Sequence, residues 1–209
     1  MLLTEKHIQI LEKAEVLFAE QGFEGTTVRD IAIHAGVNLA MISYYFGSKE
    51  KLMVALFQHR LAATKARLEN IISNKSFSFI QKIDILIDEY IGKVILKQPF
   101  YKVMLQEQVT NKNNEVIKLL KEYKFSYAQL ITTLIKEGQK IKKIKKEIDV
   151  VMLLNTMTGT VMQMIINKDY YRDFNDHKKL SSQSFDELLK NKLSAHIKNL
   201  FKATLGYEQ

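Results

Sequence analysis

The chain has 209 residues, 46% of them hydrophobic and 26% charged, with one proline, no cysteine and a formal net charge of +8. That balance suits one packed soluble domain or two small ones and argues against a disordered polar chain. The missing thiols exclude disulfides, thiolate catalysis and zinc–cysteine sites. The opening MLLTEKHIQI is too polar for a secretion signal and no run of 18 apolar residues occurs, so the expectation is a cytoplasmic protein with no membrane partner.

Helical periodicity runs along the whole chain, and no strand is legible. The first helix is expected over Thr4 to Gln21, with Ile10, Leu11, Ala14, Leu17 and Phe18 on one face. Thr27 and Asp30 have capping-box spacing, and an acid in the first turn suits the positive end of the helix dipole. Val28, Ile31, Ala32 and Ala35 then recur at helical spacing, and Gly36 follows where a left-handed residue closes a helix without a Cβ penalty. Asn38 caps the next segment, in which Met41, Ile42, Tyr45 and Phe46 include the buried face. Gly47 and Ser48 end it, and Ser48 caps a fourth helix from Lys49 to about Ile72. Two short helices joined at Gly36 make a helix–turn–helix, whose second helix lies in the major groove of DNA.

Beyond Ser73–Ser76, a loop, Ile80, Ile83, Ile87, Tyr90 and Val94 mark a fifth helix that ends before Pro99. A sixth runs from Phe100 to about Val109, and Asn111 to Asn114 form a polar break. A seventh carries Val116, Leu120, Tyr123, Tyr127, Leu130 and Leu134 and stops at Gly138. The eighth spans Ile148 to Ile166. Asn167 to Ser182 reads as a polar loop, and Ser184 with Glu187 as the capping box of a ninth helix bearing Leu188, Leu189, Leu193, Ile197, Leu200 and Phe201.

Thr26-Thr27, Ile31-Ala32, Ala35-Gly36-Val37-Asn38, Tyr44-Tyr45-Phe46-Gly47-Ser48-Lys49-Glu50 and Leu52 together resemble the signature of the TetR family of bacterial transcriptional regulators. Ile10-Leu11, Ala14, Leu17-Phe18 and Gly22-Phe23 resemble the family's first helix and the loop after it, so the match covers about the first 55 residues. Ala40, Ser43 and Tyr45 depart from the family's commonest Gly, Tyr and His. The resemblance implies an all-α protein of about nine helices. Residues 1–48 would be a three-helix DNA-binding domain, and residues 49–209 a larger helical domain for effector binding and dimerisation. It further implies a homodimer on double-stranded DNA, reading a palindromic operator, usually as a repressor released by a small-molecule effector.

By the same resemblance, Leu39, Ala40, Ser43 and Tyr44 lie on the exposed face of the recognition helix. Thr27, Tyr45 and Lys49 would hold phosphates, Arg29 a phosphate or base edge, and Asn38 sits at the helix start. Leu39 and Ala40 offer no hydrogen bonds, so they can read only thymine methyls, and an A·T-rich operator is expected. Tyr44 and Tyr45 are adjacent, so both cannot face inward. Charge gives no independent support. Residues 1–47 hold three basic against six acidic side chains, a net −3, whereas residues 97–147 hold twelve lysines against five glutamates. Such lysine runs usually solvate helix faces.

In the C-terminal part, Phe57, Tyr90, Phe100, Tyr101, Met104, Tyr123, Tyr127 and Met157 are candidate walls of an effector pocket, although Met and aromatic residues at helical spacing also make ordinary core. Leu153, Gly159, Val161, Leu193, Ile197 and Leu200 are candidates for a dimer interface, because the eighth helix is apolar around much of its circumference. No cofactor or metal site is expected. The five histidines lack ligand spacing, and no phosphate loop follows a strand, so no enzymatic role is expected. The competing reading is a ligand- or protein-binding helical module with a degenerate DNA-reading head, favoured only by that head's acidity.

Overall fold

A computed structural model describes residues 3–96, 98–110, 112–142, 144 and 147–207, with the Gln98 side chain left aside. Its helices in chain order are α1 (Glu5–Gly25), α2 (Val28–His34), α3 (Leu39–Phe46), α4 (Lys49–Ser73), α5 (Phe79–Leu96), α6 (Gln98–Thr110), α7 (Asn114–Lys140), α8 (Val150–Ile166), α9 (Lys168–Phe174) and α10 (Ser182–Leu205). Among the described residues there is no strand. The all-α expectation therefore stands, with ten helices among the described residues where about nine were expected. Asn111, the first residue of the expected polar break, lies outside the described residues.

Two compact units divide the chain: Met1–Ala66 with Lys97–Lys124, and Arg67–Leu96 with Phe125–Gln209. In the first, α1 packs against α2 and α6. Ile10, Ala14, Phe18, Leu52, Met53, Leu56 and Phe57 are wholly buried, so the apolar stripes of α1 and α4 form its core. Glu15 and Arg60, both largely buried, meet at 2.6 Å and fasten α1 to α4. A buried pair of this kind fixes register more reliably than it adds stability.

In the second unit α10 lies along α5. Ile87 and Ile91 face a continuous α10 stripe of Phe185, Leu189, Leu193, Ile197, Phe201 and Leu205, all buried. Asp88 accepts hydrogen bonds from Ser194 Oγ (2.5 Å) and Lys198 Nζ (2.6 Å) at the edge of that contact.

Four element readings change. The segment expected as a loop after Asn167 contains α9, whose residues are all at least partly exposed, so no apolar periodicity announced it. The N-cap of α10 is Ser181, whose hydroxyl accepts from Ser184 N at 3.1 Å, three residues ahead of the expected Ser184 cap. Helix α7 does not stop at Gly138 but runs to Lys140. A Cβ on Gly138 would stand 2.7 Å from the Phe79 ring and 2.8 Å from Ile144, so the glycine makes room for a neighbour inside the helix. Finally, Leu153, Val161, Leu193 and Ile197 are at most 4% exposed within the single chain. They are part of the second unit's own core. Gly159 is exposed and Leu200 half-buried.

Candidate nucleic-acid interface

The reading head assembles through local bonds that the sequence dictates. Thr27 Oγ1 accepts from Asp30 N (3.1 Å), while the Thr27 N–H and hydroxyl donate to Asp30 Oδ2 (3.1 and 2.5 Å), completing a capping box at α2. Those bonds, from the Thr27 hydroxyl first and its backbone second, hold the Asp30 carboxyl below the usual carboxylate range. At the other end Gly36 takes φ +58°. Its N–H reaches Ile33 O at 3.1 Å and the Val37 N–H reaches Ala32 O at 3.0 Å, the bond pair of a Schellman turn. Asn38 Oδ1 then accepts from Ala40 N at 2.9 Å and starts α3. Ser48 Oγ accepts from Lys51 N at 3.2 Å, and the same hydroxyl holds the Glu50 carboxyl low.

These caps set how α3 sits. Ile42 and Phe46 turn inward, with Ile42 1% exposed. Leu39, Ala40, Ser43 and Tyr44 turn out as expected, Tyr44 being 84% exposed. Tyr45 is half-buried, its ring 4.3 Å from the His7 ring and 5.3 Å from that of Tyr44. The adjacent tyrosines thus divide the work, one leaning on α1 and one facing solvent. Met41 is half-buried. Thr27 and Arg29 are exposed beside this face at the start of α2.

Thr26 and Lys49 behave differently from their neighbours. Thr26 is fully buried, and its hydroxyl donates to Gly22 O (2.8 Å) and Leu17 O (3.2 Å), closing the end of α1. Lys49 Nζ donates to Phe23 O (2.8 Å) and Thr26 O (2.9 Å) and stands 4.2 Å over the Phe23 ring. Two of its three N–H donors are used at the carbonyl end of α1.

Sequence reasoning missed the groups that hold α1 under the motif. His7 is buried, and its Nδ1 accepts from the Thr4 N–H at 3.2 Å. Gln9 Nε2 donates to Ala35 O at 2.9 Å, tying α1 to the turn. Neither residue carries a motif signal; only the packing of α1 on α2 and α3 reveals them.

The expected pocket residues do not all fall in one unit. Phe57, Phe100, Tyr101, Met104 and Tyr123 belong to the first, and Tyr90, Tyr127 and Met157 to the second. In the first, the Phe57 and Phe100 rings lie 5.2 Å apart and those of Phe100 and Tyr101 5.6 Å apart, each residue being buried. Burial pushes the Tyr101 phenol up to about 12, so it stays neutral. Among the described residues no group of three or more His, Asp or Glu side chains is placed to hold a metal ion, and no single helix is long and apolar enough to cross a membrane.

Residues 10–56 match the model of the bacterial regulatory proteins of the tetR family. The chain is 25% identical over 170 residues to the fatty acid metabolism regulator protein of Bacillus subtilis, covering 79% of this chain and 87% of that one. Two solved structures, each 22% identical, share the fold. The fatty acid degradation regulator FadR of Bacillus halodurans superposes with a TM-score of 0.73, over 95% of this chain and 97% of that one. FadR of Bacillus subtilis in complex with stearoyl-CoA superposes with a TM-score of 0.68, over 91% and 97%. The capped helix–turn–helix, its outward Leu39–Tyr44 face and the match over residues 10–56 agree: this stretch is similar to the bacterial regulatory proteins of the tetR family, and the chain shares the fold of the two solved FadR structures.

Proposed function

We propose that the protein is a cytoplasmic, dimeric repressor that binds a palindromic operator and is released by a long-chain acyl-CoA; its role is regulatory and not catalytic. The observation that carries the DNA-binding part is the α3 face, where Tyr44, Ser43, Ala40 and Leu39 stand exposed between capped ends. Residues 1–48 form the reading head and residues 49–209 the effector and dimerisation part. Thr27, Arg29, Tyr45 and the free donor of Lys49 hold phosphates, Asn38 sets the helix start, and the apolar Leu39 and Ala40 favour A·T pairs.

The effector class follows from the fatty acid regulators to which the chain is similar over most of its length. The buried Phe57, Phe100 and Tyr101 cluster is the apolar surface we assign to an acyl chain, which would enter by displacing that packing and so shift α4, the helix that follows the reading head. The dimer face is the exposed side of α8, where Val151, Met152 and Ile166 are more than half exposed and Gly159 lies between them. Two copies would place two α3 helices on successive half-sites.

The test is fluorescence anisotropy on the DNA flanking the protein's own gene, with a scrambled duplex as control. Preferential binding to the native DNA that stearoyl-CoA weakens at least tenfold, about 1.4 kcal/mol of coupling, is the expected result. Preferential binding that stearoyl-CoA leaves unchanged would remove the effector assignment and keep the regulator. Equal binding to both duplexes would favour the module with a degenerate head.

A further inference from the structure

The first unit carries a cleft of about 590 Å³ that no part of the DNA-binding reading uses. Its walls are the last turn of α1 (Gln21 to Gly25), the first turns of α4 (Glu50, Lys51, Val54), the end of α6 (Gln106, Glu107, Thr110) and the start of α7. The volume is in the range of a small-ligand site. Its charge is one-sided: Glu24, Glu50, Glu107 and Glu115 line it, against Lys51 and Lys112. Lys112 is already committed to Glu24 at 3.2 Å.

Glu107 sets this cleft apart from an ordinary acidic surface. It is only 5% exposed, and its Oε2 is buried with no hydrogen-bond partner. A buried carboxylate is costly unless a positive group or donors meet it. Burial holds its titration above the usual range, although an Asn113 backbone hydrogen bond and the Lys112 charge act the other way. The end of α1 shows what it attracts: the Lys49 ammonium already rests on two carbonyls of this turn and on the Phe23 ring. The carbonyl end of a helix and an aromatic face both favour cations. A metal ion does not fit, since no three ligating side chains converge among the described residues. Phe23 and Val54 supply apolar wall for a carbon skeleton.

We infer that this cleft is a binding site for a small organic cation, an alkylammonium or guanidinium group paired with the Glu107 carboxylate. The site is separate from the Phe57, Phe100 and Tyr101 cluster, none of whose residues lines it. An occupant would brace the turn that ends in Thr26 and presents Thr27, and so would bias the reading head from a second site.

Isothermal titration of the DNA-free full chain with putrescine tests this, with butane-1,4-diol as the uncharged control. Putrescine should give saturable heat at one site per chain, and the diol none. Glu107→Gln should weaken binding about tenfold or more without lowering the melting temperature, because it removes a buried charge one of whose oxygens has no hydrogen-bond partner. Val54→Phe, which fills the cleft while leaving its charges, should weaken it similarly and covers the case in which the Glu107 variant fails to fold. Glu187→Gln on the exposed side of α10 has the same net charge as Glu107→Gln and should bind like the parent. Absence of saturable heat, equal binding of the diol, or unchanged binding in Glu107→Gln or Val54→Phe would each overturn the assignment.

Discussion

Adjacent residues in the reading head have opposite fates. Thr26 is sealed in and closes α1; Thr27 is exposed and caps α2. Tyr45 leans on His7; Tyr44 is 84% exposed. Replacing Tyr44 with Ala should therefore cost about ten- to a hundredfold in operator affinity, as for a lost hydrogen bond to a charged group, with the melting temperature nearly unchanged. Anisotropy and a thermal melt check both halves; a large melting shift with unchanged affinity would make Tyr44 a packing residue. Asp30 gives a pH prediction. Its folded-state titration lies below the unfolded one because Thr27 donates to it. The capping contribution is then complete above the unfolded value and fades as pH falls through the folded one. Parent and Asp30→Asn should differ in melting temperature at pH 7 and converge in strong acid, which melts across that range would show. The split of the tyrosines was legible, since neighbours on a helix face different ways. The roles of His7, Gln9 and Lys49 were not, because each depends on contacts with a chain segment distant in sequence.

At the scale of elements, glycine was ambiguous in the sequence and is resolved by its surroundings. Gly36 was legible because a capped helix ended just before it and another began just after. Gly138 looked like a stop signal and is a close approach instead. Gly138→Ala should remove a helix-propensity cost of about 1 kcal/mol yet destabilise the protein by about 1–3 kcal/mol, because the new methyl meets Phe79 and Ile144 at 2.7–2.8 Å. Gly159 is the opposite case, with nothing within 4 Å of a Cβ. Gly159→Leu should leave the protomer folded and break the dimer; an unchanged mass in light scattering would move the interface off α8. Four of the six dimer candidates read from the sequence are buried within the single chain for a related reason. Periodicity marks both faces of α8 as apolar, and only packing shows that Leu153 and Val161 belong to the protomer while Val151 and Met152 do not.

Over the whole chain, the positive charge and the reading head fall in different stretches of the sequence. The net +8 invites an electrostatic account of DNA binding, but residues 1–47 sum to −3 and twelve lysines lie in residues 97–147. The groups that face outward beside α3 are mostly neutral donors: the Ser43 hydroxyl, the Tyr44 phenol, and the backbone at the starts of α2 and α3. Arg29 and one N–H of Lys49 are the cationic exceptions. Phosphates held by neutral donors release few counterions, so affinity should depend weakly on salt. With about two cationic contacts per head and two heads, the slope of log K against log salt should be about −4. A titration of operator binding from low to moderate salt measures it directly. A slope of about −8 or steeper would mean that lysines outside the reading head reach the DNA. The −3 head would then be compensated from elsewhere in the chain, and specificity would rest on a much smaller share of the total binding energy.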